Sequence, residues 1–328
     1  MWALVRICLI LGALVIGIWG FGMREPVDTE VRFDPSAIGD DLDAYLTGVE
    51  DTLGDVKDSA RKRVLWYGAP GERTPSSVLY IHGFSATSQE MRPVPDQVAA
   101  ALGANLVFTR LAGHGRPGDA MGEATVNDWV QDLAEGLEVA RRAGDRVLVI
   151  AMSTGGTLSA LIPIDPVLSR DVAGIVFVSP NFRVNDPLAF LLTWPFARTW
   201  VPLVVGVERA WEVRRPEQTD YWTTRYPTVS ILPMAALVRY VDRLDIGTPD
   251  IPALFLFSDD DAVVDPQATR AFAARWGAGG QILSVDMMPG SDPESHVIAG
   301  DIMSPAMTDS VTADIVAWAI QQGMGRLE

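Results

Sequence analysis

Short apolar, β-branched runs alternate along this chain with longer segments whose apolar residues recur every three or four positions. Runs of the first kind are Val64–Tyr67, Ser77–Ser85, Asn105–Arg110, Val147–Ile150, Ala173–Ser179, Pro252–Ser258 and Gln281–Met288. Each is bounded by turn-forming residues, as Gly68-Ala-Pro-Gly71 bounds the first, and reads as a strand. The clearest segment of the second kind is 126–143, with Val126, Val130, Leu133, Leu137 and Ala140 on one stripe. Thr125 can cap its start and Gly144 can end it. Strand and helix in regular alternation predict an α/β domain.

The rhythm stops between Phe182 and Asp250. Trp194, Trp200, Trp211, Trp222, Phe190, Phe196, Tyr221 and Tyr226 stand there among helix-compatible runs such as Leu232–Leu244. Ahead of the first strand, residues 24–63 are acidic and read as a tether with a short helix around Asp41–Leu53. Met1–Met23 has a different character. From Ile7 the chain runs roughly 17 residues without a charge, the lower limit for a bilayer-spanning helix. Trp2 and Trp19 suit the two interfaces and Arg6 can snorkel. A membrane anchor is expected, with a cleaved signal as the alternative. Positive charge before the span places the bulk of the protein on the non-cytoplasmic side.

The chain has 328 residues, 48% of them hydrophobic, enough for one large domain with an insertion. Its net charge of −16 argues against nucleic acid and against adhesion to anionic head groups. Cys8 is the single cysteine, so no intrachain disulfide can form. The three histidines, His82, His114 and His296, are scattered without metal-ligand spacing. No phosphate-binding glycine loop occurs. No cofactor is expected.

The candidate chemistry centres on Ser153. The run Val147–Ile150 stops at Ala151-Met-Ser-Thr-Gly-Gly156, after which a helix can start. Such a turn holds a serine outward, with the unsatisfied N–H groups of the helix start behind it. Small residues let strand and helix approach closely, although Ala151 stands where the usual pattern has glycine. Downstream, one strand ends in Asp259-Asp260-Asp261, with Asp265 beyond, and a loop after the last strand carries His296. Nucleophile, acid and base then follow in the order Ser, Asp, His, each past the end of its own strand. His296 alone among the histidines follows the acids. His82 and His114 read as loop-bracing residues. Composition does not choose among the four aspartates.

From about Val64 to the C-terminus the chain resembles the α/β-hydrolases. Within them it is most similar to the bacterial esterase and monoacylglycerol-lipase-like branch, on His82-Gly83-Phe84, Gly113-His114-Gly115 and Ser153-Thr154-Gly155-Gly156. The resemblance implies an α/β-hydrolase fold: a mostly parallel sheet, helices on both faces and a helical cap insertion. It implies core segments 64–182 and 251–328, with 183–250 as the cap above the nucleophile. The family's acid usually precedes a small residue and an apolar pair, which selects Asp261, with Asp260 in reserve. The family's oxyanion donors map to the backbone N–H groups of Phe84 and Thr154.

These readings converge on a serine hydrolase of carboxylic esters, with acyl esters or monoacylglycerol-like lipids as substrates. A peptidase or acyltransferase using the same triad, and a catalytically silent binding protein, are the alternatives.

Overall fold

A computed structural model describes residues 19–325 and, before them, Trp2, Arg6 and Gly17. Most of the apolar segment read as an anchor lies outside the described residues. Among the described residues no helix is long and apolar enough to cross a membrane.

Among the described residues nine strands form: β1 (Arg63–Leu65), β2 (Ser77–Ile81), β3 (Asn105–Phe108), β4 (Val147–Met152), β5 (Val172–Val178), β6 (Glu208–Ala210), β7 (Arg225–Pro227), β8 (Ala253–Phe257) and β9 (Gly280–Ser284). Seven of them make the central sheet, in the order β1-β3-β2-β4-β5-β8-β9. Only β1 runs antiparallel to its neighbour. The inner strands are buried on both faces, which explains why they read as continuous apolar runs.

Alternate residues sort into two cores. Leu79, Ile81, Val149, Phe177 and Phe255 face the helices Val126–Ala143 and Pro266–Trp276. Val78, Tyr80, Leu148, Ile150 and Val176 face the helices Val94–Leu102 and Thr308–Gln321. The 126–143 helix has the expected bounds, with Thr125 and Asp128 forming a reciprocal capping box.

Two expectations need correction. Residues 24–63 are not a free tether. Arg32 N–H donates to Gln131 Oε1 at 2.7 Å, and Gln131 Nε2 donates to the Glu30 carbonyl at 2.9 Å, which lays the segment along the 126–143 helix. Leu42 and Leu46, on the helix Leu42–Asp51, enter the core. The acidity that suggested a solvated linker is spent on structure. Asp41 caps this helix, and buried Glu50 meets Arg110 through paired hydrogen bonds of 2.8 and 2.9 Å. Lys62, also buried, lies between Asp132 (2.8 Å) and Glu135.

The second correction concerns the cap, which is only partly helical. It holds the helices Ala197–Val205, Gln218–Tyr221 and Ile231–Asp242, but also an antiparallel ribbon of β6 and β7. β7 packs Tyr226 edge-on against Phe84, with ring centroids 5.5 Å apart. The ribbon therefore ties the cap to the loop after β2, a long-range contact that no local pattern announces.

Candidate active site

The nucleophile candidate sits where β4 turns into the short helix Thr154–Ser159. Ser153 has φ +50° and ψ −112°, a conformation a non-glycine residue adopts only when its surroundings impose it. They do so here. Ser153 N–H donates to the Val178 carbonyl of β5 at 3.0 Å, and its own carbonyl accepts from Thr157 and Asn181. Gly155 is required by close approach: a Cβ there would stand 2.5 Å from the Ile81 carbonyl oxygen. The alanine at 151 is accommodated as a fully buried β4 residue.

His296 lies beside it. Its Nε2 is 3.1 Å from Ser153 Oγ, and its Nδ1 is 2.8 Å from Asp261 Oδ2. The other Asp261 oxygen accepts the N–H groups of Val263 and Val264 at 2.8 and 2.9 Å. With both oxygens committed, the carboxylate is held in one orientation and fixes the imidazole with Nδ1 as donor and Nε2 as acceptor. Burial alone would push His296 down. The Asp261 carboxylate, with lesser help from Asp292 and Glu90, outweighs burial and raises the imidazole above its ordinary value.

The remaining aspartates are occupied elsewhere. Asp259 pairs with Arg270 and Ser284, which holds its carboxyl below the usual range. Asp265 caps the 266–276 helix and meets Arg183. Asp260 makes a backbone turn contact with Ser258 Oγ. Of the four candidates, the fold brings only Asp261 to His296.

His82 and His114 are fully buried, their rings 4.9 Å apart. His82 Nε2 accepts the Leu111 N–H at 3.1 Å, so Nδ1 donates to the Gly83 carbonyl at 2.8 Å. Burial pushes His82 well down and His114 to about 4, so both stay neutral. They brace the loops after β2 and β3.

A cavity of about 350 Å³ opens over Ser153. Phe84 and Thr154 line it, and neither backbone N–H has an acceptor among the described residues. Trp211, Trp222 and Met234 of the cap close it from above, with Val263, Val297 and Met303 from the core. No cluster with metal-ligating composition occurs among the described residues.

A family profile described as serine aminopeptidase, S33, matches residues 73–286. The chain belongs to that family. Among curated proteins, this S33-family chain is similar to a thermostable monoacylglycerol lipase of Bacillus sp. (strain H-257). The two are 27% identical over 195 residues, which cover 60% of this chain and 74% of that protein. Among solved structures, the fold is similar to a monoglyceride lipase from Saccharomyces cerevisiae, with a TM-score of 0.61 and 14% identity over 80% of this chain and 91% of that one. It also matches a metagenome-derived lipolytic enzyme, with a TM-score of 0.62 and 19% identity over 81% and 99% of the two chains.

Two residues of this S33-family site escaped the sequence reading. Asp292 anchors the His296 loop: its Oδ2 accepts the N–H groups of His296 and Val297, and its Oδ1 that of Glu294. A proline-flanked aspartate in a polar loop hints at such a turn but not at its target. Glu90 lies under the loop after β2, with its carboxylate against Gly83. No local signal identifies it, because the contact depends on a 3-10 turn folding back onto the strand end.

Proposed function

We propose that this protein hydrolyses carboxylic esters of acyl chains through an acyl-enzyme on Ser153. The observation that carries the reading is His296, which bridges Ser153 Oγ and Asp261 Oδ2 at hydrogen-bond distance on both sides. Ser153 Oγ attacks the acyl carbon as its proton passes to His296 Nε2. Asp261 keeps the ring in the tautomer that can accept that proton and stabilises the imidazolium. The N–H groups of Phe84 and Thr154 receive the oxyanion, an interaction worth on the order of 3 kcal/mol per donor. The carbon–oxygen bond to the alcohol then breaks, and Nε2 returns the proton to the leaving oxygen. Water repeats the sequence on the acyl-enzyme: Nε2 takes its proton, the acid leaves, and Ser153 is reprotonated.

The apolar side of the cavity, Trp211, Trp222, Met234, Val263 and Val297, supports an acyl substrate. Val184 lines both this cavity and a neighbouring one of about 500 Å³ bounded by Phe190, Trp194 and Val238, which offers a path for a longer tail. The similarity to a monoacylglycerol lipase supports a monoacylglycerol-like substrate.

Attachment to a membrane through the N-terminal segment belongs to the same reading. Trp19 stacks edge-on against Trp194 of the cap at 5.5 Å, so the segment meets the protein at the cap. There, residues 187–207 contain one charged residue, Arg198, which is paired with Glu25. Leu203, Val204 and Val207 within that stretch are 72–81% exposed. The seat against the cap and the apolar surface beside it both support a lipid-facing cap. Flotation on phosphatidylcholine vesicles tests this: the full chain should float, and Leu203→Asp with Val204→Asp should weaken it.

The S33 description itself favours a second reading, an aminopeptidase, which must hold a substrate ammonium. Three carboxylates line the cavity. Asp292 is committed to backbone N–H groups and Glu294 to Arg214, while Glu212 has no ion pair among the described residues. Turnover of p-nitrophenyl acyl esters against aminoacyl p-nitroanilides decides between them. Faster ester turnover, with fluorophosphonate labelling of Ser153, supports the first. Faster anilide turnover, lost in Glu212→Gln, supports the second.

A further inference from the structure

Glu90 is a carboxylate with no part in the chemistry described so far. It lies in the 3-10 turn Ser88–Met91 and is 3% exposed. Its Oε1 accepts the N–H of Gly83 at 2.6 Å and the hydroxyl of Tyr80 at 2.8 Å. Gly83 immediately precedes Phe84, so the carboxylate clamps the peptide leading into the amide assigned to the oxyanion. Gly83 also keeps space open. A Cβ there would stand 3.1 Å from Glu90 Oε2 and 3.1 Å from Ser153 Cβ. The free carboxyl oxygen and Ser153 Cβ are therefore no further apart than twice that distance.

No lysine or arginine pairs with Glu90 among the described residues. The titratable groups set against it are Tyr80, from β2, and His296, from the loop after β9. Burial pushes its carboxyl up to about 7, although the bonds from Gly83 and Tyr80 and the nearness of His296 work the other way. The same proximity helps to raise His296.

We propose that Glu90 is a positioning residue of the ester-hydrolase reaction: it orients the Gly83–Phe84 peptide toward the oxyanion, and in its ionised form its charge supports the imidazolium formed at His296. The idea rests on the ester-hydrolase reading above. Its two parts separate on substitution. Glutamine keeps an acceptor for Gly83 and Tyr80 but carries no charge, whereas alanine offers neither.

Ester hydrolysis and histidine NMR titrations of the full chain test this, with Glu90→Gln, Glu90→Ala and Ser153→Ala beside the native protein. Burial drives His82 and His114 down, so the His296 ring resonance is the one that titrates near neutral pH. In Glu90→Gln the His296 midpoint and the acid limb of kcat/KM should both move to lower pH, by about half a unit or more, as loss of a nearby negative charge requires. In Glu90→Ala, kcat should fall by roughly tenfold or more with KM within about twofold, because a misaimed oxyanion donor acts on the transition state. An unmoved His296 midpoint in Glu90→Gln overturns the electrostatic part. Native kcat in Glu90→Ala overturns the positioning part. If Glu90→Ala does not fold, the isosteric Glu90→Gln still decides through its titration. Full turnover in Ser153→Ala sinks the ester-hydrolase reading instead, and the NMR midpoints distinguish that failure from this one.

Discussion

His296 Nε2 stands 3.1 Å from Ser153 Oγ, although 143 residues of chain separate the two. The strand order makes the meeting inevitable. Ser153 directly follows β4, while β8 and β9, whose following loops carry Asp261 and His296, join the same sheet two and three places away. All run parallel, so all three side chains emerge at one edge.

Ser153→Ala should abolish ester hydrolysis and fluorophosphonate labelling while leaving the circular dichroism spectrum unchanged. The missing atom is one hydroxyl oxygen facing a cavity, so folding loses little. Near-native turnover would move the nucleophile elsewhere, with Ser179 and Ser258 at neighbouring strand ends next in line.

Asp261→Asn should reduce kcat by about ten-thousandfold, the scale seen when an imidazole loses the carboxylate that sets its tautomer. Asp259→Asn should be mild, because its partners Arg270 and Ser284 lie outside the cavity. A large loss at Asp260 with little at Asp261 would shift the acid by one residue.

The pH dependence follows from the raised imidazole. His296 must be neutral to take the serine proton. Activity should therefore be present above its raised pKa and disappear as pH falls through it. The acid limb of kcat/KM should lie above the ordinary histidine value of about 6.5. A limb well below that value would mean that burial, not Asp261, dominates the ring.

Medium-chain esters should have higher kcat/KM than acetyl esters, since each buried methylene adds roughly 0.8 kcal/mol. Trp222→Ala, which alters the wall over Ser153, should weaken short and long esters alike. Trp194→Ala, in the neighbouring cavity, should weaken long esters more. A strict preference for acetyl esters in the native protein would defeat the lipid reading.

Glu50→Ala should lower the melting temperature by several degrees or more, because it strands the buried guanidinium of Arg110. Breaking a buried pair on one side costs about 3–5 kcal/mol. An unchanged melting curve would mean that residues 24–63 are dispensable after all.

The sequence by itself determined what local physics controls. Apolar runs of strand length marked the sheet, a 3.6-residue stripe with a capping threonine marked 126–143, and small residues around Ser153 marked the elbow. It also restricted the base to one of three histidines. Tertiary structure decided the rest. Composition did not separate Asp261 from Asp259 and Asp260; the family resemblance favoured it, and the folded turn alone sets it 2.8 Å from His296 Nδ1. The acids of 24–63 looked like solvated charge because their partners, Arg110 among them, lie far along the chain. The β6–β7 ribbon and the carboxylate of Glu90 beneath Gly83 depend on contacts between segments distant in sequence or folded back on themselves. Periodicity and spacing carry no record of such contacts, because packing energy is realised only when the surfaces meet.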